Sequence, residues 1–258
     1  MATLREIQLC ELSVLEEMHR ICEENSVEYA ISCGTLLGAI RHKGFIPWDD
    51  DLDTYMSYDS FKKFEKVFKS ETCFLQTEKT EPTMPYPMYK VRKNNTRVIE
   101  SEMDGLDIHY GVWVDIFIYF NAGRSIITKK MQYYLYMFLM VVRCRELNKV
   151  NHNENLIQKI LNILPQSFSK SLDKFLFWMI RSLGSKHSKE YFMTVNNVFD
   201  RLFYPKAVID GQIPIEFEGK TVMGLKNWKE YLVFEYGEDY MTPKKQPAHL
   251  ENLDKIIL

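Results

Sequence analysis

Five aspartates set the chemical question in this chain of 258 residues. Asp49, Asp50, Asp51 and Asp53 crowd into "PWDDDLD", and Asp115 interrupts the otherwise apolar run "YGVWVDIFIYF". On a strand the side-chain period is two, so Asp51 and Asp53 project to one face. Asp49 joins them if the extended conformation begins that early. Ionised carboxylates side by side at the edge of a core are costly unless a cation sits between them. A hard divalent ion with oxygen ligands, Mg2+ or Mn2+, meets that need. Asp115, unpaired in an apolar strand, would cost several kcal/mol, and a neighbouring strand could bring it to the same metal. Taken singly, an acidic triplet reads as a solvated loop and a buried aspartate as a partner of backbone N–H groups.

The residues ahead of the cluster change that balance. "VEYAISC" runs into Gly34 and Thr35, and a strand that ends there and opens a helix presents free N–H groups to a phosphate. Arg41, His42 and Lys43 follow that helix. Arg41 and Lys43 are candidates to neutralise a diphosphate, against the alternative of cations placed to suit a helix C-terminus. Lys90 and Arg92 share a face of the strand in "YKVRK", as site cations or as solvated hairpin cations. Together these features suit phosphoryl transfer with metal-clamped phosphates.

The elements that must hold these groups can be read along the chain. Leu4, Ile7, Leu12, Leu15, Met18 and Ile21 fall near helical spacing over residues 4–25. "VEYAISC" predicts a strand, and "TLLGAIRHK" a short helix with Thr35 as N-cap and Gly44 as its left-handed stop. "DLDTYM" predicts a second strand and "SYDSFKKFEKVFKS" a helix. A Pro-rich loop then leads to a hairpin around Asn94 and Asn95, and "YGVWVDIFIYF" reads as a buried strand. Residues 126–200 change to a helical pattern nearly free of glycine. "IPIEFEGKTVMGL" predicts a hairpin and "NWKEYLVFEYG" a final helix. The fold class expected is α/β (α+β), one compact unit with a core at 1–125, a helical insertion at 126–200 and a mixed C-terminal segment at 201–258 that returns to the core.

Bulk properties narrow the partners. A formal net charge of −2 carries no basic field for nucleic acid, so partners must be read from local sites. The five cysteines are odd in number, with no CxxC pair and no histidines at zinc spacing, which argues against a disulfide framework or structural zinc. The N-terminus has no signal-peptide pattern, and the longest apolar stretch, "MQYYLYMFLMVV", is shorter than the ~20 residues needed to span a bilayer. A cytoplasmic protein is expected.

"GTLLGAIRHKGFIPWDDDLD" resembles the signature of the LicD family, whose members include bacterial phosphocholine transferases and the fukutin-related proteins. The likeness continues more loosely through "YKVRKNNT", "YGVWVDIF" and "FEYGEDYM". It implies a nucleotidyltransferase-like mixed sheet and Mg2+-dependent transfer of a phospho-alcohol from a CDP-activated donor to a sugar hydroxyl, releasing CMP. Matched onto this sequence, it implies Asp49, Asp51, Asp53 and Asp115 as metal ligands, with Asp51, Asp53 and Asp115 also catalytic. Gly34, Thr35, Arg41, Lys43, Trp48, Lys90 and Arg92 are the substrate-binding candidates. Two departures stand out. The tail "TPKKQPAHL" is less Arg-rich than the family ending, which weakens phosphate roles for Lys244, Lys245 and His249. No zinc-binding insertion of the fukutin-related kind is visible, which favours the bacterial branch.

On that resemblance the donor expected is CDP-choline, and the acceptor a glycan of teichoic acid or lipopolysaccharide type, carried on a lipid. Alternatives are transfer of ribitol or glycerol phosphate, NMP transfer from an NTP to a small molecule, and a silent scaffold; the intact Asp51, Asp53 and Asp115 set opposes the last. A quaternary ammonium is held by ring faces, and Trp48, Tyr55, Tyr86, Tyr89, Tyr110 and Trp113 are the candidate rings. The patterns "MQYYLYMFLMVVRCREL" and "SLDKFLFWMIRSLGSKH" are crowded with aromatics and flanked by Lys129, Lys130, Arg143, Arg145, Lys170, Lys174, Arg181 and Lys186. Residues 126–183 are therefore candidates for peripheral membrane contact at the inner face of the plasma membrane, or for ordinary helix packing.

Overall fold

The amphipathic stretch near the N-terminus folds as α1 (Leu4–Glu24), opened by a capping box in which Thr3 and Glu6 satisfy each other's backbone N–H groups. This computed structural model describes residues 2–100, 103–151, 156–163, 165–195, 197–244 and 256–258; Lys245 and His249 lie outside them. After α1 come β1 (Ala30–Ile31), α2 (Cys33–His42), β2 (Asp53–Ser57), α3 (Tyr58–Val67), β3 (Cys73–Gln76), β4 (Tyr89–Lys93) and β5 (Trp113–Asn121). Four helices follow: α4 (Ile126–Arg143), α5 (Arg145–Val150), α6 (Leu156–Ile163) and α7 (Gln166–Ser182). The chain ends with β6 (Glu190–Met193), β7 (Phe203–Pro205), α8 (Lys206–Ile209), β8 (Gln212–Phe217), β9 (Lys220–Leu225) and α9 (Trp228–Tyr236).

The described strands make one mixed sheet of nine, in the order β3-β4-β5-β2-β1-β9-β8, with β6 on the far half of β5 and β7 beyond it. The fold is thus α/β (α+β), as the sequence predicts. The β2–β5 and β1–β9 pairs are parallel and the rest antiparallel. β5 runs inside the sheet beside β2, β4 and β6, and its residues Trp113 to Ile118 are buried on both faces, which is why that stretch is a continuous apolar run. The main core surrounds this centre and includes Leu15, Met18, Tyr55, Ile116, Tyr204 and Tyr231. A second core, with Tyr136, Leu139, Leu176 and Ile180, holds α4 and α7 together and continues into Phe192 of β6 and Phe203 of β7.

Four expectations need correction. The N-cap of α2 is Ser32, in extended conformation, which places Gly34 and Thr35 inside the first turn. The left-handed stop falls on Lys43 (φ 63°), one residue before Gly44. Asn95 does turn the chain with a positive φ, but no hairpin follows: Arg97 bridges to Ile257, and β4 is filled on both sides by β3 and β5. Finally, helix gives way to strand within 126–200, because β6 joins the sheet beside β5. The hairpin at β8–β9 is present, turned by Glu218 and Gly219 with φ of 53° and 71°, the signs a type I′ turn requires.

Candidate active site

The acidic cluster begins in the loop that brings α2 back to the sheet. Pro47 and Trp48 turn the chain, and Asp49 to Leu52 lead into β2, which starts at Asp53. Three hydrogen bonds pin the segment. The Asp53 N–H donates to Thr35 Oγ1 (2.8 Å), the Asp115 N–H donates to Leu52 O (2.8 Å), and the Thr54 hydroxyl donates to Asp115 O (2.7 Å). Gln8 of α1 adds a fourth, donating to the Asp49 carbonyl (2.9 Å). Carboxylate oxygens of Asp49, Asp50 and Asp51 lie within 4.8 Å of one another.

Strand register supplies the next carboxylate. Asp53 pairs with Asp115 on the parallel neighbour, and Asp115 pairs with Lys90 across β4, so the three side chains form a row on one face of the sheet. Lys90 Nζ lies 2.9 Å from Asp115 Oδ1, and Trp113 Nε1–H donates to Asp115 Oδ2 (2.9 Å). Lys90 also sits over the Trp113 ring, 4.3 Å from its centroid. Beside it Arg92 is fully buried; it donates to Gln76 (2.7 Å), to Gly111 O (2.9 Å) and to Glu100 (3.1 Å). Burial pushes the Glu100 carboxyl up, but Lys90 and Arg92 outweigh it and hold the group below its usual range.

The cluster itself has an excess of negative charge. Burial pushes the Asp53 carboxyl well above the usual range, and Asp51, Asp115 and Asp49 add to the rise against the opposing pull of Lys90. One carboxylate was missed in the sequence. Glu11 on α1 is 1% exposed, its Oε2 has no hydrogen-bond partner, and burial followed by Asp51, Asp50, Asp49 and Asp115 drives its pKa up. A signal for it existed: Glu11 falls at i+4 from Ile7 and i−4 from Leu15, within the apolar stripe of its helix. These clustered, mutually repelling oxygens, buried at Glu11, Asp50 and Asp53 and half-buried at Asp49 and Asp51, fit a hard divalent cation.

A cavity of about 620 Å³ opens on the cluster. Asp49, Asp51 and Asp53 line one side, with Gly34, Arg41 and Trp48 from the same loop and helix. The opposite wall comes from the C-terminal part: Arg201, Glu235, Tyr236, Tyr240 and Lys244. Arg41 is held toward this space by donating to Tyr240 O (3.0 Å). Glu235 is oriented by the Tyr204 hydroxyl (2.9 Å) and lies 3.8 Å from Arg201. The α9 helix is tied to the site at its root, where the Cys33 N–H donates to the Tyr231 hydroxyl (3.1 Å).

The other predicted site residues fall elsewhere. Thr35 is buried and spends its hydroxyl on the Asp53 backbone. Lys43 caps α2 away from the cavity wall. Lys90 and Arg92 are internal cations, not solvated ones, and act on the site through Asp115 and Glu100; Asp115 is likewise outside the cavity wall, among these partners. Of the six candidate rings, Trp48 alone lines the cavity. Tyr55, Tyr89 and Trp113 are buried in the cores, and Tyr86 and Tyr110 pack around Met84 and Met103. Tyr236 and Tyr240 take their place.

Gly34 explains the start of the signature. A Cβ built there would lie 2.7 Å from Asp49 Oδ2, so the carboxylate rests directly on the first turn of α2. Gly34→Ala should displace Asp49 while the first helical turn tolerates alanine. We expect activity to fall by roughly a hundredfold, the usual cost of about 1 Å of misplacement, with the unfolding midpoint moved little. A variant of full activity would show that Asp49 need not stay where it is.

Asp49, Asp51 and Asp53, facing Arg201 and Lys244 across the cavity, suit chemistry on a phosphate ester, the chemistry of a phosphotransferase. Comparison with known proteins agrees. Residues 26–139 match the family described as LicD/FKTN/FKRP, nucleotidyltransferase domain. The lipopolysaccharide cholinephosphotransferase LicD of Haemophilus influenzae is 30% identical over 96% of this chain and 97% of its own length. Two uncharacterised rickettsial proteins match shorter stretches: one of Rickettsia typhi (39% identity, 21% of this chain, 18% of the relative) and one of Rickettsia prowazekii (50%, 16% and 15%). The chain belongs to the LicD family.

Proposed function

We propose that this enzyme transfers phosphocholine from CDP-choline to a sugar hydroxyl of a lipopolysaccharide-type glycan, with release of CMP and with Mg2+ as the metal. The observation that carries this reading is the convergence of Asp49, Asp51 and Asp53 with Arg41, Arg201 and aromatic rings around one cavity. Its volume lies within the range of ordinary small-ligand sites. The nearly full-length likeness to a cholinephosphotransferase supports the same choice.

The residues divide the work by chemistry. Asp49, Asp51 and Asp53 would hold the metal, whose charge offsets that of the diphosphate and orients the donor in line. Arg41 and Arg201 face the same space and suit the phosphates and the departing CMP. Trp48, Tyr236 and Tyr240 offer ring faces to a quaternary ammonium, and Glu235, fixed by Tyr204, supplies a nearby negative charge. The acceptor oxygen attacks the phosphorus that bears choline. The bond from that phosphorus to the bridging oxygen breaks, CMP leaves with the electron pair, and the hydroxyl proton passes to a carboxylate of the cluster.

Purified protein with Mg2+, a lipopolysaccharide-type oligosaccharide and a panel of CDP-choline, CDP-ribitol, CDP-glycerol and NTPs tests the proposal. CMP release should depend on the acceptor, stop with EDTA and favour CDP-choline. Pyrophosphate from an NTP, or equal use of the three CDP donors, would overturn it. Tyr236→Leu and Tyr240→Leu should each raise KM for CDP-choline by roughly two- to thirtyfold, as expected for ~0.5–2 kcal/mol per ring, and leave KM for CDP-glycerol in place.

A further inference from the structure

The surface of α4, α6 and α7 has a composition unlike the rest of the molecule. On α4, Ile127, Met131, Tyr134 and Phe138 recur at i, i+4, i+7 and i+11, and all four are exposed. The buried set, Gln132, Tyr136, Leu139 and Val142, runs alongside on another face and holds the helix to its neighbours. On α6, Leu156, Ile160 and Ile163 are exposed while Leu161 is buried. On α7, Phe175 and Trp178 are 53% and 61% exposed with their rings stacked at 6.1 Å, while Leu176 and Ile180 face inward. Phe177 packs on Tyr58 and Phe120 and belongs to the interior.

Charge gives the surface its partner. Residues 124–189 hold twelve Lys and Arg against three Asp and Glu, a net of +9 in a chain whose net is −2. Asp173 and Glu146 are paired with Arg143 and Arg145. Lys129 is paired with Glu190, and Arg181 lies over the Tyr58 ring. Lys130, Lys159, Lys170, Lys174 and Lys186 stand exposed among the apolar side chains. Apolar stripes edged with lysine match an anionic bilayer, whose headgroups take the lysines while the rings enter the acyl boundary. A second copy of the same surface would be repelled by the same exposed lysines. We infer that α4, α6 and α7 dock the enzyme on an anionic lipid surface, peripherally: no helix among the described residues is long and apolar enough to cross a membrane. The inference does not depend on the donor proposed above.

Co-sedimentation of the full chain with phosphatidylcholine vesicles, with and without phosphatidylglycerol, tests it. Binding should require the anionic lipid and fade as salt rises. The double variant Phe175→Ser, Trp178→Ser should weaken partitioning by at least about tenfold. Lys170→Gln with Lys174→Gln should weaken it by about 30-fold on anionic vesicles alone. Circular dichroism and thermal unfolding would confirm that both variants are folded, and CDP-choline turnover gives an independent readout, since these residues are outside the cavity. Absence of sedimentation at low salt, or equal sedimentation of wild type and folded variants, would overturn the inference. So would a concentration-dependent dimer that the Phe175→Ser, Trp178→Ser variant abolishes.

Discussion

Asp51→Asn or Asp53→Asn should lower CMP release by about 10²–10³-fold or more while leaving the fold in place. The magnitude is that of removing one preorganised charge from a site where charge must be stabilised. The fold should survive because the Asp53 backbone N–H, not its side chain, makes the bond to Thr35, and asparagine keeps the side-chain shape. In the metal-free protein the neutral variants should unfold at the same temperature as wild type or slightly higher, since each removes a charge that its neighbours oppose. Mg2+ should then separate them. Saturating metal raises the melting temperature of the wild type, as any ligand of the native state does, and this increment should shrink or vanish in the variants. Wild-type turnover at saturating CDP-choline and Mg2+ would remove the cluster from the mechanism. Loss of turnover with an undiminished Mg2+ increment would leave it catalytic but free it from metal binding.

Lys90→Met should cost about 3–5 kcal/mol of stability, the usual penalty for leaving one member of a buried ion pair without its partner. Lys90 is 2% exposed, and Asp115 would be left in the sheet beside Asp53 with only the Trp113 N–H for company. Adding Asp115→Asn to the same chain should return most of the loss, because the orphaned charge is then gone. Urea unfolding of the wild type, both single variants and the double variant measures this coupling directly. A single-variant loss below about 1 kcal/mol would mean that Lys90 does not balance Asp115, and that the charges in this row compensate in some other way.

The elements that carry the site were legible where one periodicity dominated. The stripe of α1, the unbroken apolar run of β5 and the hairpin of β8–β9 each follow from a local pattern. The Asp51-Leu52-Asp53 alternation marked the acidic edge of the sheet even though β2 begins only at Asp53. What sequence could not supply was sheet order. Lys90 and Arg92 look like solvated cations until β4 is known to lie inside the sheet, between β3 and β5, with elements packed on both of its faces so that Tyr89 to Arg92 are all buried. The aromatic wall was missed for a related reason. Rings near the signature in sequence, such as Tyr55 and Trp113, are consumed by the cores, whereas Tyr236 and Tyr240 reach the cavity from almost 200 residues away. Glu11 shows the opposite failure: the local anomaly was visible, but its meaning needed the cluster that α1 covers.

The two walls of the cavity also leave the ribosome far apart in time. Asp49 to Asp53 emerge early, whereas Arg201, Glu235 and Tyr236 emerge late. At 5–20 residues per second the delay from Asp53 to Tyr236 is roughly 10–40 s. For most of it, β1 lacks β9, its parallel neighbour at Ile31, and the Cys33 N–H lacks the Tyr231 hydroxyl. A nascent chain would carry the carboxylates without the arginine and ring surfaces that select a donor. Truncation before α9 would therefore give an inert protein, not one that hydrolyses nucleotides without restraint.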